Sequence, residues 1–460
     1  MLPQTLSQSL SALTDLVRQT TGSVTWGPLV NLSRNAVCTL LSRIELGQLR
    51  IVDTDGSALR FGETSHGAKS PTVELTVRRE AFWVRLCLFT DMGFAEAFML
   101  GDVDCPDLEA FFELFILNRP HLNNGTNFTS SLTSALSAGI NRVARNTNTL
   151  SNALLNVSAH YDISNEMFAA FLSDDMTYSC PIWAPKSSPQ SLTETLEQAQ
   201  KTKLQRFIRN AKIKGTDHVL EIGTGWGSFA IEAVRSTGCT VTSLTLSVEQ
   251  KELAEKRIAA AGYTDWITVL LCDYRALPIP ELLYDKVVSI EMLEAVGREF
   301  LVTYFECVNR LLKPDGGIAV FQCITMPECR YENYSRSEDF IRKYIFPGGH
   351  LPSVSQLVRS IDEGSKGTLI VDQVENISGH YSKTLRLWKQ KFLQNFDARI
   401  KPALLDEHDD MTDEAAELFK RKWEYYFTYS EAGFATKTLG DVIITVGREG
   451  AMEMLEDINL

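Results

Sequence analysis

The stretch Glu221-Ile222-Gly223-Thr224-Gly225-Trp226-Gly227 decides the fold, because it places three glycines at alternate positions directly after an apolar run. The run His218–Gly223 predicts a β-strand, and a helix is expected to begin near Ser228. Glycines at a strand-to-helix turn let a ligand approach the backbone closely. The loop is therefore expected at the carboxyl end of a parallel strand, the usual ligand crevice of a doubly wound sheet.

Beyond this loop, strand-like apolar runs alternate with segments of helical length, a pattern typical of a parallel α/β sheet. Seven runs qualify as strands. We expect six of them to be parallel and the last to return antiparallel as an edge strand, which is common on such sheets. The runs are His218–Gly223, Thr240–Leu246, Ile267–Asp273, Lys286–Glu291, Ile318–Thr325, Leu369–Ile377 and Val442–Arg448.

The glycine spacing indicates the cofactor. A dinucleotide fingerprint would read G-x-G-x-x-G, whereas here the third glycine comes one residue early and position 228 is serine. The spacing E-x-G-x-G-x-G resembles the S-adenosylmethionine (AdoMet) loop of class I methyltransferases. That resemblance implies a Rossmann-like, seven-stranded, mostly parallel sheet that binds AdoMet. The alternatives are an NAD site and a glycine turn without a ligand.

Polar side chains at the ends of the next two strands are candidates for holding the nucleoside. After the second strand, Thr245 and Gln250 can donate hydrogen bonds where many class I methyltransferases have a carboxylate. After the third, Asp273 is expected to take the adenine amino group, with a helix N-cap as its alternative role. The predicted cofactor-binding residues in these segments are Glu221, Gly223, Gly225, Gly227, Thr245, Leu246, Gln250, Asp273 and Tyr274.

Composition excludes several classes of protein. The chain has 460 residues, is 44% hydrophobic and carries a formal charge of −13, which is ordinary for a globular enzyme and unlike a disordered protein. The negative charge argues against a nucleic-acid partner, whose binding face is basic. Nine scattered cysteines without a CxxC pair predict neither a disulfide framework nor a metal site, so a reducing, cytoplasmic compartment is expected.

Composition along the chain predicts three segments. Residues 1–125 are expected to form a smaller α+β domain, 126–155 a linker with a helical segment, and 156–460 the catalytic domain. No apolar stretch reaches the length of a transmembrane helix, and no secretory signal is visible. Leu6–Val17 predicts an amphipathic helix that is either docked on the protein or laid on a lipid surface.

Several motifs, in order along the chain, resemble those of the cyclopropane-fatty-acyl-phospholipid synthases. The mycolic acid cyclopropane synthases are similar to the catalytic part alone, about 156–450, whereas residues 24–120 are more weakly similar to the family's lipid-associating N-terminal domain. The motifs are His160-Tyr161-Asp162-x-x-Asn165, Tyr178-Ser179-Cys180, Leu196-Glu197-x-Ala199-Gln200, Thr245-Leu246-Ser247-x-Glu249-Gln250, Glu291-Met292-Leu293-Glu294-Ala295-Val296-Gly297, Tyr344-Ile345-Phe346-Pro347-Gly348-Gly349 and Tyr429-Ser430-Glu431-Ala432-Gly433-Phe434.

The resemblance implies methyl transfer from AdoMet to a cis double bond of an acyl chain, through a carbocation that a bound bicarbonate deprotonates. Glu294 is the first candidate to stabilise this cation, with a salt bridge or helix cap as the alternative, and Glu291 ranks below it as a supporting residue. Gln322 and Ala295 stand where the best-studied bacterial branch has histidines, so a histidine proton relay is not expected. The implied bicarbonate cradle consists of Cys180, Glu294, Gln322, the backbone of Ile324, and Tyr381.

The resemblance also places Tyr178 and Ser179 at the carboxylate end of AdoMet, and residues 327–357 as a helical cap over the acyl chain. The arginines of that cap either meet lipid phosphate or lie on a solvated helix face. The expected substrate is an unsaturated phospholipid, with peripheral membrane contact and a homodimer. Three functions remain: cyclopropanation, C-methylation of another alkene, or lipid or AdoMet binding without catalysis, against which the intact glycines and Glu294 argue.

Overall fold

The computed structural model describes four ranges of the chain: 27–63, 71–123, 164–408 and 411–455. The predicted helix Leu6–Val17 and the predicted linker 126–155 lie outside them. The chain forms two compact units, the first of which takes residues before 163 together with Lys343–Ile345 and Leu404–Ala432. The predicted domain limits remain a prediction, because the boundary falls between described ranges.

The first unit contains a four-stranded sheet in the order β2-β1-β3-β4, flanked by helices, as expected for a small α+β domain. Strands β1 and β3 alternate buried and less buried residues, which places apolar side chains such as Leu49 and Val73 on one face. The elements are α1 (Gly27–Leu41), β1 (Gln48–Val52), β2 (Ala58–Phe61), β3 (Thr72–Val77), α2 (Ala81–Met99), β4 (Val103–Asp104), α3 (Leu108–Leu117) and α4 (Arg119–Asn123).

The second unit holds a seven-stranded sheet, and each strand begins and ends within two residues of its predicted bounds. The strands are β5 (His218–Ile222), β6 (Thr240–Thr245), β7 (Ile267–Leu271), β8 (Lys286–Ile290), β9 (Ile318–Thr325), β10 (Ile370–Asn376) and β11 (Gly440–Gly447). The helices that follow α4 along the chain, of which α15 belongs mostly to the first unit, are α5 (Asn165–Phe171), α6 (Leu196–Asn210), α7 (Ser228–Thr237), α8 (Val248–Ala261), α9 (Leu301–Leu311), α10 (Glu328–Arg336), α11 (Phe340–Tyr344), α12 (Val354–Ser365), α13 (Gly379–Asn395), α14 (Lys401–Glu407) and α15 (Asp413–Ala435).

The strand order is β10-β11-β9-β8-β5-β6-β7. Strand β11 is antiparallel to both of its neighbours, as predicted, but the prediction that it forms an edge is wrong, because it lies between β9 and β10. All eight of its residues are buried, whereas β10 at the edge is largely exposed. The continuous apolar run Val442–Ile444 is the signal of a strand covered on both faces.

The remaining strands are parallel, so β5, β6 and β8 all end at the same edge of the sheet. The side chains that follow those ends are therefore brought together there, whatever their separation along the chain. Within the described residues, no helix combines the length and the apolar character that crossing a membrane requires.

Candidate active site

The glycine loop connects β5 to α7 and turns back on β6. Gly223, Gly225 and Gly227 have φ values of 104°, 52° and 86°, a left-handed region that glycine adopts without steric cost. The N–H groups of Gly223 and Thr224 donate to the carbonyl of Leu244 at 3.0 and 2.9 Å, which fixes the loop. A Cβ at Gly225 would meet no atom within 4 Å, so the backbone there is open to a ligand and fits the predicted AdoMet.

Glu221, which opens the motif, lies inside the sheet. Its side chain is 2% exposed, and its carboxylate accepts a hydrogen bond from the Ser243 hydroxyl, which lies 2.7 Å from the Thr224 hydroxyl. Burial raises the pKa of Glu221 to about 8. This carboxyl group thus braces the loop against β6, and its contact with a cofactor stays a prediction.

The predicted nucleoside contacts lie at the ends of β6 and β7, but three of them, Thr245, Gln250 and Asp273, already have partners. The Thr245 hydroxyl donates to the Gln250 side-chain carbonyl at 2.9 Å, while Leu246 is exposed. Asp273 accepts several hydrogen bonds from Arg275, the shortest at 2.6 Å, and this arginine lowers the pKa of Asp273. Asp273 is not followed by a helix, so it does not serve as an N-cap, and its contact with adenine stays a prediction.

Tyr178 and Ser179 lie on the segment before α6. The Tyr178 ring packs 5.1 Å from the Trp388 ring, between ring centroids. Ser179 is 3% exposed, and its hydroxyl accepts a 2.7 Å hydrogen bond from Nζ of Lys203, a residue that is itself fully buried. These two residues lie beside an acidic cluster at the carboxyl edge of the sheet.

Glu291 is the centre of that cluster. Its Oε1 accepts from the Cys180 backbone N–H and from Nε2 of Gln322, both at 2.7 Å. Its Oε2 accepts from the Tyr381 hydroxyl at 2.8 Å. Three donors from distant parts of the chain thus converge on one carboxylate, as they would on a bound anion.

The backbone of Glu291 is strained. Its φ is +48°, a left-handed value that costs a residue with a Cβ about 1–3 kcal/mol and persists only where its surroundings hold it. The Glu291 N–H donates to the carbonyl of Gln322 at 3.0 Å, which holds the chain in place as β8 ends. The strain and the hydrogen bonds therefore fix the carboxylate among its donors.

Asp441 and Lys203 complete the charges around Glu291. Oδ2 of Asp441 accepts from Nε2 of Gln322 at 3.0 Å, and burial, then the charge of Glu291, hold the pKa of Asp441 well above its usual range. Burial lowers the pKa of Lys203, whereas the negative charge of Glu291 acts to raise it. Because Glu291 has three strong donors and Asp441 has one, Glu291 is the better site for the negative charge and Asp441 for the proton.

Glu294 lies on the short 3-10 turn after β8, facing the end of β9. Its Oε1 accepts from the Ile324 backbone N–H at 2.5 Å, and among the described residues its buried Oε2 has no hydrogen-bond partner. Burial, and next the charge of Glu291, raise the pKa of Glu294 to about 8. A buried carboxylate oxygen without a partner is costly, so this oxygen suits a cation or a donor supplied by a ligand.

Cys180 is fully buried, and burial, with Asp441 and Glu291 nearby, raises the pKa of its thiol well above the usual range. It is therefore not a thiolate nucleophile. The Cys180 backbone N–H donates to Glu291, and a contact of the thiol with bicarbonate stays a prediction. The thiol lies 3.5 Å from the carbonyl of Pro181. Nearby, the Tyr381 ring stacks on Phe434 with centroids 4.6 Å apart.

Sequence reasoning missed two residues of this cluster. Lys203 falls among Ala199, Leu204 and Phe207 on the buried stripe of α6, and this spacing could have identified it. Asp441 is the second residue of a strand that is apolar apart from Asp441 and Thr445, which also indicates a buried acid. Glu291, predicted as a supporting residue, accepts hydrogen bonds from three of the predicted bicarbonate partners, and its rank relative to Glu294 stays a prediction.

The predicted cap contains α10 and α11. Its arginines are mostly paired: Arg342 bonds Asp339 at 3.1 Å and lies 4.2 Å from the centroid of the Tyr334 ring, and Arg336 bonds Glu332. Only Arg336 of these two lies on a solvated face, because the Arg342 side chain is 17% exposed, and contact of the cap arginines with lipid phosphate stays a prediction. The role of the segment as a cover over an acyl chain stays a prediction.

Comparison with solved structures identifies the class of enzyme to which this fold belongs. The crystal structure of mycolic acid cyclopropane synthase CmaA1, complexed with SAH and CTAB, is 27% identical with a TM-score of 0.52, covering 64% of this chain and 98% of that one. Coclaurine N-methyltransferase, at 20% identity, a TM-score of 0.56 and coverage of 77% of this chain and 98% of that one, shows the same fold. The fold and its glycine loop define a class I, AdoMet-dependent methyltransferase.

A family model described as mycolic acid cyclopropane synthetase matches residues 148–443, and the chain belongs to that family. It is 35% identical over 450 residues to tuberculostearic acid methyltransferase UfaA1 of Mycobacterium tuberculosis, covering 96% of this chain and 98% of that protein. It is 29% identical over 389 residues to the cyclopropane-fatty-acyl-phospholipid synthase of Escherichia coli, covering 84% and 91%. The family resemblance predicted from the motifs is confirmed.

Proposed function

We propose that the protein transfers a methyl group from AdoMet to a carbon of a cis double bond in a phospholipid acyl chain. The observation that carries this proposal is the acidic cluster beside the glycine loop, which consists of the half-buried Glu291 and Glu294 and the buried Asp441. An alkene is a weak nucleophile with no proton to lose before attack. Its methylation leaves a carbocation, which needs negative potential in a dry site.

The chain's own residues supply those conditions. The Oε2 of Glu294 presents a carboxylate oxygen that is buried and has no partner among the described residues. Two carboxyl groups with raised pKa values, Glu294 and Asp441, hold protons until a cation arrives, and a cation would lower those pKa values again. The stacked rings of Tyr381 and Phe434 add an aromatic wall that favours positive charge over water.

The methyl group is supplied by AdoMet when it is bound at the glycine loop. Gly225 offers open space to it, and the Gly223 N–H holds the loop to β6 through its hydrogen bond to the carbonyl of Leu244. Tyr178, Ser179, Thr245, Leu246, Gln250, Asp273 and Tyr274 remain the proposed supporting contacts. The bicarbonate predicted from the resemblance is not carried into this proposal, because three of its predicted partners, Cys180, Gln322 and Tyr381, already donate to Glu291.

Gly225→Ala is expected to lower AdoMet affinity roughly 10–100-fold, since a methyl forced into space that a ligand fills costs about 1–3 kcal/mol. Titration calorimetry measures the change. Gly238→Ala is the matched control: Gly238 has a φ of +77° and also open space, but it ends α7 away from the loop. Equal loss of affinity in both variants, or none in either, would contradict the assignment of the loop.

Two products fit the proposed reaction. Loss of a proton from the new methyl closes a cyclopropane, which is the product predicted from the motifs. Loss of a different proton leaves a methyl-branched chain that retains a double bond. The similarity to the tuberculostearic acid methyltransferase, which extends over nearly the whole of both chains, favours a branched product as the second candidate.

Lipid mass analysis, after expression in a host that lacks such an enzyme, tests the function and separates the products. We expect monounsaturated phospholipid chains to gain one CH₂ unit. Derivatisation of double bonds then distinguishes the cyclopropane, in which the double bond is lost, from the branched product, in which it is retained. If the lipids are unchanged although the protein purified from the same cells binds AdoMet, a phospholipid is not the substrate. The remaining functions would then be methylation of a dedicated alkene or binding without catalysis.

The proposed setting follows from this substrate. An enzyme that modifies phospholipid chains needs peripheral contact with a membrane from the cytoplasmic side, and the formal charge of −13 makes a local apolar face a better route than general electrostatic adhesion. A homodimer and the absence of a nucleic-acid partner remain part of the proposal.

A further inference from the structure

The donors that bond the Glu291 carboxylate are the ones that the family resemblance assigns to a different anion. Family resemblance assigns the Cys180 segment, Gln322 and Tyr381 to a bound bicarbonate, a small planar anion with two oxygens available to donors. Here those three donors bond the two oxygens of Glu291 at 2.7, 2.7 and 2.8 Å. A carboxylate covalently attached to the chain therefore accepts the hydrogen bonds that these three donors would give to the free anion.

The backbone gives independent support. At a φ of +48° a glycine would be free of strain, yet this position carries a glutamate. The strain is tolerated where β8 ends, next to the acceptors and donors of the site. Such strain is concentrated at functional positions, because ordinary structural positions relieve it by substitution.

The surrounding charges keep Glu291 able to accept a proton. Lys203 is buried nearby, and its cation favours the ionised form of Glu291. Asp441, whose raised pKa keeps it protonated, avoids a second adjacent negative charge. Burial raises the pKa of Glu291 itself, so the carboxylate is a stronger base than one in water.

Glu291 also lies close to the cofactor loop. Strands β5 and β8 are hydrogen-bonded neighbours, and a Cβ at Gly223 would come within 3.4 Å of the Met292 side chain. The residue that follows Glu291 is thus in contact with the loop from which the methyl group is expected. Glu291 therefore lies at the edge of the sheet where the methyl group is expected.

We propose that Glu291 is the catalytic base of this protein and replaces the bicarbonate of its relatives. The inference rests on the proposed function. After methyl transfer, an oxygen of Glu291 takes a proton from the carbocation, and the electron pair of the broken C–H bond forms the new C–C bond or double bond. Glu291 then carries the proton, which passes to solvent when the product leaves.

The test compares Glu291→Gln and Glu291→Gly with the wild type, in buffer freed of carbon dioxide and again with added bicarbonate. Wild-type turnover is expected to be independent of bicarbonate. Glu291→Gln should lose about 10²–10⁴-fold in kcat in both buffers, with AdoMet affinity retained. Without bicarbonate, Glu291→Gly should be as slow as Glu291→Gln. With added bicarbonate, its kcat should rise at least tenfold, because the freed donors can then hold the anion.

Lys366→Gly is the matched control for the glycine substitution, because Lys366 also has a positive φ, +57°, but ends α12 on the surface. It should release similar backbone strain without changing turnover. Wild-type activity that requires bicarbonate, or Glu291→Gln activity within threefold of wild type, would overturn the inference. A wild-type protein that produces no modified lipid would instead overturn the proposed function, so the two failures are distinguishable.

Discussion

Glu294→Gln is expected to retain AdoMet binding and to lose about a thousandfold in turnover. A unit charge 4 Å from a carbocation contributes about 4 kcal/mol at an effective dielectric constant near 20, and each 1.36 kcal/mol is tenfold in rate. The glutamine can keep the hydrogen bond from the Ile324 N–H, so the local structure should persist. Single-turnover product formation and AdoMet titration measure the two effects separately.

The pH dependence sharpens this expectation. Because the pKa of Glu294 is raised to about 8, the carboxylate fraction in the free enzyme grows as pH rises through that value. Wild-type kcat/KM should therefore rise toward alkaline pH, and the glutamine variant should lack that rise. Glu299→Gln, an exposed glutamate five residues along, serves as the control. Near-normal turnover in Glu294→Gln would refute the assigned role.

Lys203→Met is expected to lower the free energy of unfolding by about 3–5 kcal/mol at pH 8, because it removes the buried cation beside Glu291. The loss should be smaller at pH 5. Removing the cation raises the pKa of the buried carboxyl groups further, so the folded protein binds more protons than the unfolded chain. That difference destabilises the variant increasingly as pH rises. Urea unfolding at both pH values measures it.

Two companion variants make the Lys203 result specific. Lys201→Met lies on the same helix, α6, but is exposed, and it should change stability little at either pH. Adding Glu291→Gln to Lys203→Met should restore part of the lost stability, because the uncompensated charge is then gone. If the loss in the free energy of unfolding is independent of pH and is not reduced by Glu291→Gln, its cause would be lost packing and not the lost charge of Lys203.

The sequence by itself determined the strands, the cofactor loop and the family. The seven strands could be predicted because alternation of apolar runs and helical segments is a local property, and the glycine loop because its φ values depend on the residues that occupy it. The candidate donors Cys180, Gln322 and Tyr381 were also predicted, through the family resemblance.

Only the tertiary structure decided the order of the strands in the sheet and the different hydrogen-bond partners of the acidic residues. The insertion of β11 between β9 and β10 depends on pairing between strands far apart in the chain. Glu291 and Glu294 are three residues apart and chemically alike, yet one meets three donors and the other keeps an oxygen without a partner among the described residues. Their pKa values depend on burial and on partners from remote segments, and no local pattern contains that information.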